Sequence, residues 1–337
     1  MHNTKKLLLA GLVTIVLIGI LLSQIEISTV WSTLVSVNPI FLVIGFVIYV
    51  LVFVLRAIRM SIILEGKVSV RNLMSILFVH NLFNNLIPAR LGELSFVYFL
   101  KEKENIPINH GLSSLMVARI FDLLGIAFLF IISFFLVGDL SQFVTICLML
   151  VGVLISIIFA GLIMLLFYNK KFLRFVEIFA SKTRLDRLKY TQMALEKGEE
   201  TIENFKIIKS GYVTIVSFVI SIMIWVLASM MTHIFLMEME IYLSIWKILI
   251  ASGIMVITTI LPIHSVGGFG TIESIWTTTY VALGVSTQMA ISSGFGIHLI
   301  LVVYFLILGS VGLMMMKFDT TTDFNPLKPT LEIKEAS

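Results

Sequence analysis

Two apolar segments of the chain are interrupted by polar stretches of the same kind. The first break reads Asn84-Asn-Leu-Ile-Pro-Ala-Arg-Leu-Gly-Glu93, and the second reads Leu261-Pro-Ile-His-Ser-Val-Gly-Gly-Phe-Gly-Thr-Ile-Glu273. Each break contains a proline and glycine, and each is followed by an apolar helix that begins with a glutamate. Interrupted hydrophobic segments at corresponding places of two halves are typical of the substrate sites of membrane transporters. We therefore interpret the two breaks as two halves of one binding site.

The chemistry expected of such a site is anion binding. A helix that starts within the membrane presents free N–H groups and the positive end of its dipole toward the centre. Gly267, Gly268 and Gly270 allow the backbone to come close to a ligand, and Arg90 and Arg119 would add positive charge. Two helix N-termini that converge from opposite leaflets would suit a phosphate headgroup.

The acidic residues near the breaks have two interpretations. Glu93 and Glu273 either cap their own helices, where a carboxylate is favourable in the first turn, or balance charge and bind an amine. Arg119 and Asp122 lie three residues apart on one helix face, so they either neutralise each other or contact the ligand. Charged residues inside a membrane usually face a functional interior, which favours contact with the ligand.

Other polar residues are open to similar alternatives. Asn81, Asn84 and Asn85 either line a cavity or cap helix ends, whereas Arg56 and Arg59 are interpreted as snorkelling anchors near the cytoplasmic face. The predicted substrate-binding residues are Asn84, Asn85, Pro88, Arg90, Gly92, Glu93, Arg119, Asp122, Pro262, Gly267, Gly268, Gly270 and Glu273.

Composition places the chain in the membrane. It is 58% apolar and 13% charged, with a mean hydropathy of +1.05, far from the range of soluble domains. Its hydrophobic segments have the length of membrane helices and lack the two-residue alternation of barrel strands. The histidines are scattered and the only cysteine, Cys147, lies in an apolar run. We expect no metal, no cofactor and no catalytic residues.

Loop charges predict the topology. Loops 23–38, 138–142, 238–243 and 285–289 contain no Lys or Arg, whereas loops 65–71, 101–109 and 168–210 and the C-terminal tail contain several. The positive-inside rule places the basic loops in the cytoplasm, and this holds throughout only if segments 72–101 and 244–284 enter and leave on one side. The predicted full spans are 7–22, 39–64, 110–137, 143–167, 212–237 and 290–316.

The sequence thus predicts an all-α polytopic membrane protein with about six full transmembrane helices and two re-entrant helical hairpins in an inverted repeat. A single transmembrane domain would cover residues 1–316. Its first repeat would span about 39–167, a cytoplasmic amphipathic segment 168–210, and its second repeat about 212–316. Residues 317–337 would form a cytoplasmic tail.

Four blocks of sequence carry a resemblance to a known family. Leu55-Arg-Ala-Ile-Arg-Met60, Asn85 to Glu93, Ala118-Arg-Ile-Phe-Asp122 and Pro262 to Glu273 resemble, in this order, the signature blocks of the lysylphosphatidylglycerol synthase transmembrane-region family. The resemblance covers about residues 10–316 and implies a flippase-type module. In some members of the family this module precedes an aminoacyl transferase domain. Other members stand alone or are fused to glycosyltransferases that act on polyprenyl phosphates.

The expected function is therefore the movement of a phospholipid, aminoacyl-phospholipid or polyprenyl-phosphate headgroup between leaflets. The alternatives are an ion-coupled transporter of a small anion, a membrane-embedded lipid-modifying transferase subunit and a non-transporting partner subunit. We expect no enzymatic activity, because neither catalytic domain is present. The expected partners are membrane lipids and no nucleic acid, with a separate lipid-modifying enzyme and a homo-oligomer left open. The expected location is the cell (plasma) membrane, with both termini cytoplasmic.

Overall fold

The computed structural model describes residues 37–86, 92–138, 211–260 and 266–318, most of 140–160 and a few residues between 28 and 35. Its principal helices, numbered here in chain order, are α1 Pro39–Ile63, α2 Val70–Leu86, α3 Glu93–Glu104, α4 Ile108–Leu136, α5 Gly211–Glu238, α6 Ile245–Ile260, α7 Thr271–Ala282 and α8 Thr287–Phe318. A 3-10 turn, Val266–Gly268, precedes α7.

Four of these helices, α1, α4, α5 and α8, are long and apolar enough to cross a membrane. They coincide with four of the six predicted spans. The predicted span 7–22 lies outside the described residues, as do the amphipathic segment 168–210 and the tail after Phe318. The predicted span 143–167 is described only in part, as a shorter apolar helix over Val144–Ile157.

The start of α1 follows from its sequence. The Asn38 side chain accepts a hydrogen bond from the Ile40 amide at 3.0 Å, and Pro39 occupies the first helical position, where its missing N–H costs nothing. Glu65 and Gly66 follow the helix with positive φ angles of 56° and 73°, which turn the chain back toward α2.

The short helices pair as antiparallel hairpins. In the first hairpin, Asn72 near the start of α2 donates to Glu104 at the end of α3 at 2.8 Å, and Phe83 stacks on Phe99 with ring centroids 6.2 Å apart. In the second hairpin, Lys247 in the first turn of α6 donates to the Leu283 carbonyl just after α7 at 3.3 Å. The turn of each hairpin therefore falls at one of the two breaks.

The two halves of the chain interleave. α1 packs on α5, α2 packs on α8 and α4 packs on both α5 and α6. Glycines allow the closest of these contacts, since a Cβ added at Gly253 of α6 would lie 2.6 Å from the Phe130 ring of α4. Likewise, a Cβ at Gly309 of α8 would lie 2.6 Å from the Leu82 side chain of α2. Both hairpins are thereby held against long helices of the other half.

Candidate functional site

A cavity of about 100 Å³ lies where α1, α2 and α4 meet, and each of the three helices contributes four residues to its wall. This volume accommodates several waters or one phosphate-sized group. The ionisable and amide side chains in its lining are Arg56 and Arg59 from α1, His80, Asn81 and Asn84 from α2, and Arg119 and Asp122 from α4.

Arg59 and Asp122 form a buried, bidentate ion pair on one side of the cavity. The two Arg59 amino nitrogens donate to the two Asp122 carboxylate oxygens at 2.5 and 3.0 Å. Arg59 also donates to the Ser221 hydroxyl at 2.6 Å, and only 4% of its side chain is exposed. Trp225 donates to the Asp122 carbonyl at 3.1 Å. This cluster joins α1, α4 and α5, and it uses both carboxylate oxygens of Asp122.

Arg56 lies one helical turn before Arg59 and has a different environment. Its guanidinium lies over the Phe53 ring, 5.2 Å from the centroid, and its Nε is buried. No side chain or carbonyl in the described part of the chain accepts a hydrogen bond from that Nε. A buried guanidinium nitrogen without an acceptor is costly, so an anion in the cavity would be stabilised by Arg56.

Arg119 lies at the exposed edge of the cavity and pairs with Glu93, the first residue of α3. Its amino nitrogen is 3.2 Å from the Glu93 carboxylate, and the two side chains are 47% and 30% exposed. Such a half-exposed pair contributes little stability and is easily exchanged for another partner. Gly92 lets α3 begin close to the end of α2, because a Cβ at Gly92 would lie 2.5 Å from the backbone of Asn84. This close approach places Glu93 beside Arg119.

Amide side chains extend the cavity along α2. Asn85 donates to the carbonyl and the side-chain oxygen of Asn81 at 2.8 and 3.0 Å, and Asn81 donates to the Tyr49 hydroxyl at 2.8 Å. The Asn84 side-chain oxygen is buried and has no donor among the described residues. Asn84 therefore offers an unused acceptor to a hydroxyl or amine of a ligand.

The second break lies against the first. A Cβ at Gly267 would be 4.0 Å from the Asn85 carbonyl oxygen, and the 3-10 turn packs on α2. Gly267, Gly268 and Gly270 have positive φ angles of 63°, 78° and 84°, which favour glycine, and they bring the chain from the turn into α7. The described residues that follow the second break therefore lie close to the end of α2, which precedes the first break.

Glu273 closes the start of α7. Its carboxylate accepts a hydrogen bond from the Gly270 amide at 2.7 Å, the capping arrangement that the sequence offered as one interpretation. The other carboxylate oxygen lies 2.5 Å from His298 Nδ1 of α8, and the Glu273 side chain is fully buried. Because both oxygens have partners and no surface is exposed, Glu273 does not reach a ligand directly.

The structure thus separates the predicted site residues into groups. Asn84, Asn85, Gly92, Glu93, Arg119 and Asp122 lie in or beside the cavity, whereas Gly267, Gly268, Gly270 and Glu273 form the second break that packs against it. Pro88, Arg90 and Pro262 lie outside the described residues.

Two sequence-based interpretations need correction. Arg119 and Asp122 do not neutralise each other, because Asp122 pairs with Arg59 and Arg119 pairs with Glu93. Arg59 is not a snorkelling anchor, since it is 3% exposed and bonded across helices. Arg56, Arg59 and His80 line the cavity and were not predicted as site residues. The available signal was two arginines three residues apart inside an apolar span, where charge is costly without a function.

The arrangement has the chemistry of an anion site with an adjacent hydrogen-bond acceptor. Arg56 and Arg119 provide positive charge, and Asn84 provides the acceptor. Over the ranges that the structure describes, no group of three or more His, Cys, Asp or Glu side chains is suitable for a metal ion.

Comparisons with known proteins bear on this site. Residues 7–309 match the family described as "Lysylphosphatidylglycerol synthase TM region". The chain is 22% identical to the "UPF0104 membrane protein MJ1595" of Methanocaldococcus jannaschii over 315 residues, which cover 88% of this chain and 91% of that protein. It is 35% identical to the "Glycosyltransferase AglD" of Haloferax volcanii over 124 residues, which cover 36% of this chain and 20% of that protein. No solved structure matches the chain.

Proposed function

Because this chain belongs to the lysylphosphatidylglycerol synthase transmembrane-region family, a family of membrane proteins, we propose that it moves lipids between the leaflets of the cell membrane. The cargo is a phospholipid, an aminoacyl-phospholipid or a polyprenyl phosphate. Its phosphate enters the cavity between α1, α2 and α4 while the acyl or prenyl chains stay in the bilayer. The movement is passive or ion-coupled.

The observation that carries this proposal is the state of Arg56. Its buried Nε lines a membrane-embedded cavity and has no acceptor among the described residues. The Nε of Arg59, one turn away, is in the same state, but the amino nitrogens of Arg59 are already bonded to a carboxylate and a hydroxyl. The cavity therefore holds a surplus of positive charge that a phosphate group would neutralise with charge-assisted hydrogen bonds.

Pairs of equivalent contacts support an inverted repeat, in which α1, α2, α3 and α4 correspond to α5, α6, α7 and α8. The Glu93–Arg119 pair joins α3 to α4, and the Glu273–His298 pair joins α7 to α8 at nearly the same sequence separation. Gly125 of α4 contacts Ser221 of α5, as Tyr304 of α8 contacts Gly45 of α1. Inverted repeats with broken helices commonly place a transport site where the breaks meet.

The proposed topology follows from the hairpins. The antiparallel pairing of α2 with α3, and of α6 with α7, lets each hairpin enter and leave the bilayer on one side. With the basic loops in the cytoplasm, both termini are cytoplasmic and the two hairpins enter from opposite leaflets. In the described part of the second break, Gly268 and Gly270 are buried, as backbone of irregular conformation at membrane depth must be.

A second candidate is a transporter of a small soluble anion, which the small volume of the cavity favours. The chain itself is proposed to have no catalytic activity. A separate lipid-modifying enzyme is a proposed partner, because a relative is named as a glycosyltransferase and the chain matches one fifth of its length.

The test is lipid movement in liposomes. The purified protein is reconstituted in phosphatidylcholine vesicles with a trace of headgroup-labelled phosphatidylglycerol, and the label in the outer leaflet is bleached by dithionite. If the protein moves lipid between leaflets, labelled lipid from the inner leaflet reaches the outer leaflet, and the bleached fraction rises toward completion. Arg56→Gln removes one charge-assisted interaction, worth about 1.5–3 kcal/mol, so we expect the rate to fall about tenfold or more.

Arg71→Gln is the matched control, because it makes the same substitution at an exposed position outside the cavity. It should move lipid at the rate of the unchanged protein. Equal rates for Arg56→Gln and the unchanged protein would remove Arg56 from the site. Uptake of labelled phosphate without any lipid movement would replace the lipid function by the small-anion function.

A further inference from the structure

The two equivalent glutamate pairs differ in the chemistry of their basic partner. Glu93 at the start of α3 pairs with Arg119, whose charge is permanent. Glu273 at the start of α7 pairs with His298, whose imidazole carries a positive charge only when it is protonated. The second hairpin thus has a titratable residue at the place where the first has a fixed cation.

The two pairs also differ in their contact with solvent. The Glu93 and Arg119 side chains are 30% and 47% exposed, whereas those of Glu273 and His298 are 0% and 7% exposed. The His298 ring is covered by the Phe269 ring, stacked at a centroid distance of 4.3 Å. A change of charge at the second pair is therefore not relieved by water while the hairpin stays docked.

The hydrogen bonds limit which protonation states the docked hairpin can hold. One Glu273 oxygen accepts a hydrogen bond from the Gly270 amide, and the other contacts His298 Nδ1. An ionised carboxylate beside a neutral imidazole has a net charge of −1, so the pair is neutral only when it holds one further proton. Without this proton the pair is a buried negative charge, which is strongly unfavourable. A proton bound to the pair therefore removes a net charge from the buried side chains of the docked hairpin.

Other ionisable groups on the packed elements do not supply the missing charge. Within the described residues, the hydrogen bonds and ion pairs of Glu273 and His298 involve no ionisable side chain except each other. His264 lies outside the described residues. Among the titratable groups on neighbouring elements, Tyr280 contacts Trp276, Tyr304 the Leu42 carbonyl, His80 the Ser95 hydroxyl and Lys247 the Leu283 carbonyl. On α5, Glu238 accepts from the Asn38 amide, and the buried Nδ1 of His233 has no partner in the described part of the chain.

We propose that Glu273 and His298 form a proton-binding site that couples proton uptake to docking of the second hairpin. With the proton bound, α7 stays packed on α8. When the proton is lost, the uncompensated carboxylate draws the start of α7 toward water and away from the first break. This inference rests on the proposed transport function for its purpose, but proton binding can be measured without any transport.

Trp276 reports the docking directly. It lies one turn after Glu273, is buried, and donates to the Ser293 hydroxyl of α8 at 3.2 Å. Fluorescence quenching by acrylamide is measured from about pH 5 to pH 8.5, across the range in which histidine titrates, and the Trp276→Phe variant is subtracted to isolate this residue. We expect the quenching of Trp276 to increase at least about twofold as the pH rises.

Glu273→Gln makes the docked pair neutral without an added proton, so Trp276 should stay shielded throughout this range. His298→Arg copies the Glu93–Arg119 pair and should also remove the increase, which keeps the test valid if one of the two variants fails to fold. Glu102→Gln makes the same acid-to-amide change at an exposed position of α3 and should behave as the unchanged protein. A flat profile in the unchanged protein, or the same increase in a folded Glu273→Gln variant, would overturn the proposal.

Lipid movement in liposomes separates this inference from the proposed function. If both are correct, the transport rate depends on pH in the unchanged protein and loses that dependence in Glu273→Gln. A pH-dependent Trp276 signal without lipid movement would keep the proton site and reject the lipid function. Lipid movement with no pH-dependent Trp276 signal would keep the function and reject the proton site.

Discussion

At the residue scale, the arginines of the cavity have the same charge and different roles. Arg59 is bonded to Asp122 and Ser221, and it fixes three helices relative to one another. Arg119 has an exchangeable partner at the edge of the cavity, and Arg56 has a buried nitrogen without an acceptor. The Nε of Arg59 also lacks an acceptor, but the amino nitrogens of Arg59 are bonded across helices. We therefore assign Arg59 to structure and propose the other two arginines as ligand-binding residues.

The structural role of the Arg59–Asp122 pair can be measured by a double-mutant cycle. Asp122→Leu or Arg59→Met alone leaves an uncompensated buried charge and should lower the free energy of unfolding by about 3–5 kcal/mol. The double variant removes both charges and should cost less than either single substitution. Denaturant unfolding in detergent micelles, followed by circular dichroism, gives these values. A double variant as unstable as the sum of the two singles would contradict a direct ion pair.

The sequence identified which residues are polar in an apolar setting, but not their partners. Arg119 and Asp122 lie three apart, and this spacing alone favours a pair within the helix. In the structure, α4 lies between α3 and α1, so each side chain pairs with a different neighbouring helix. Because such partners depend on helix packing across distant segments, a local pattern could not reveal them.

At the scale of the elements, Gly92 determines how closely α3 can start against the end of α2. Its φ of −61° is open to any residue, so the requirement is steric rather than conformational. A Cβ there would lie 2.5 Å from the Asn84 backbone, which has no flexible side chain to yield. The position of Glu93 beside Arg119, and of Asn84 beside the cavity, depends on this close approach.

Gly92→Ala should therefore destabilise the protein by about 1–3 kcal/mol, the usual cost of overpacking, and should also slow lipid movement. Gly211→Ala is the control, because a Cβ at Gly211 meets no atom within 4 Å. Thermal unfolding in detergent and the liposome assay give the two readouts. If both glycine variants were equally stable, the close contact between α2 and α3 would be refuted.

The elements themselves were largely predictable. A bilayer requires long apolar helices, so composition and length identified α1, α4, α5 and α8 within a few residues. Proline and glycine marked the places where α2 and α6 end. The contacts of Asn72 with Glu104 and of Lys247 with Leu283 place the two helices of each broken segment side by side. Entry and exit of each segment on one side of the membrane stays a prediction from loop charge.

At the scale of the whole molecule, the proposed topology has a simple consequence for labelling. Single cysteines are introduced into a Cys147→Ser background at four exposed positions. Lys67→Cys and Glu102→Cys flank the first hairpin, and Tyr242→Cys and Ser286→Cys flank the second. A membrane-impermeant maleimide applied to intact cells should label only positions 242 and 286. All four should react after permeabilisation, which serves as the control. Labelling of positions 67 and 102 from opposite sides would show that the first hairpin crosses the membrane.

The interleaving of the two halves could not be read from the sequence. The repeat was inferred from two short breaks and from the parity of the spans, and neither indicates which helices touch. The contacts of α2 with α8 and of α4 with α6 depend on small residues such as Gly253 and Gly309 meeting large side chains of the other half. Complementary shapes of this kind appear only once the helices are placed in space.

This interleaving also sets an order of events during synthesis. α2, with its row of asparagines, leaves the ribosome about 200 residues before α8 begins. At about 5–20 residues per second, the interval is on the order of ten seconds or longer. During that time α2 has no α8 to pack against, and the asparagine side chains of the first hairpin must form other hydrogen bonds. Because the core is shared between the two halves of the chain, the early helices lack part of their packing surface until α8 has been synthesised.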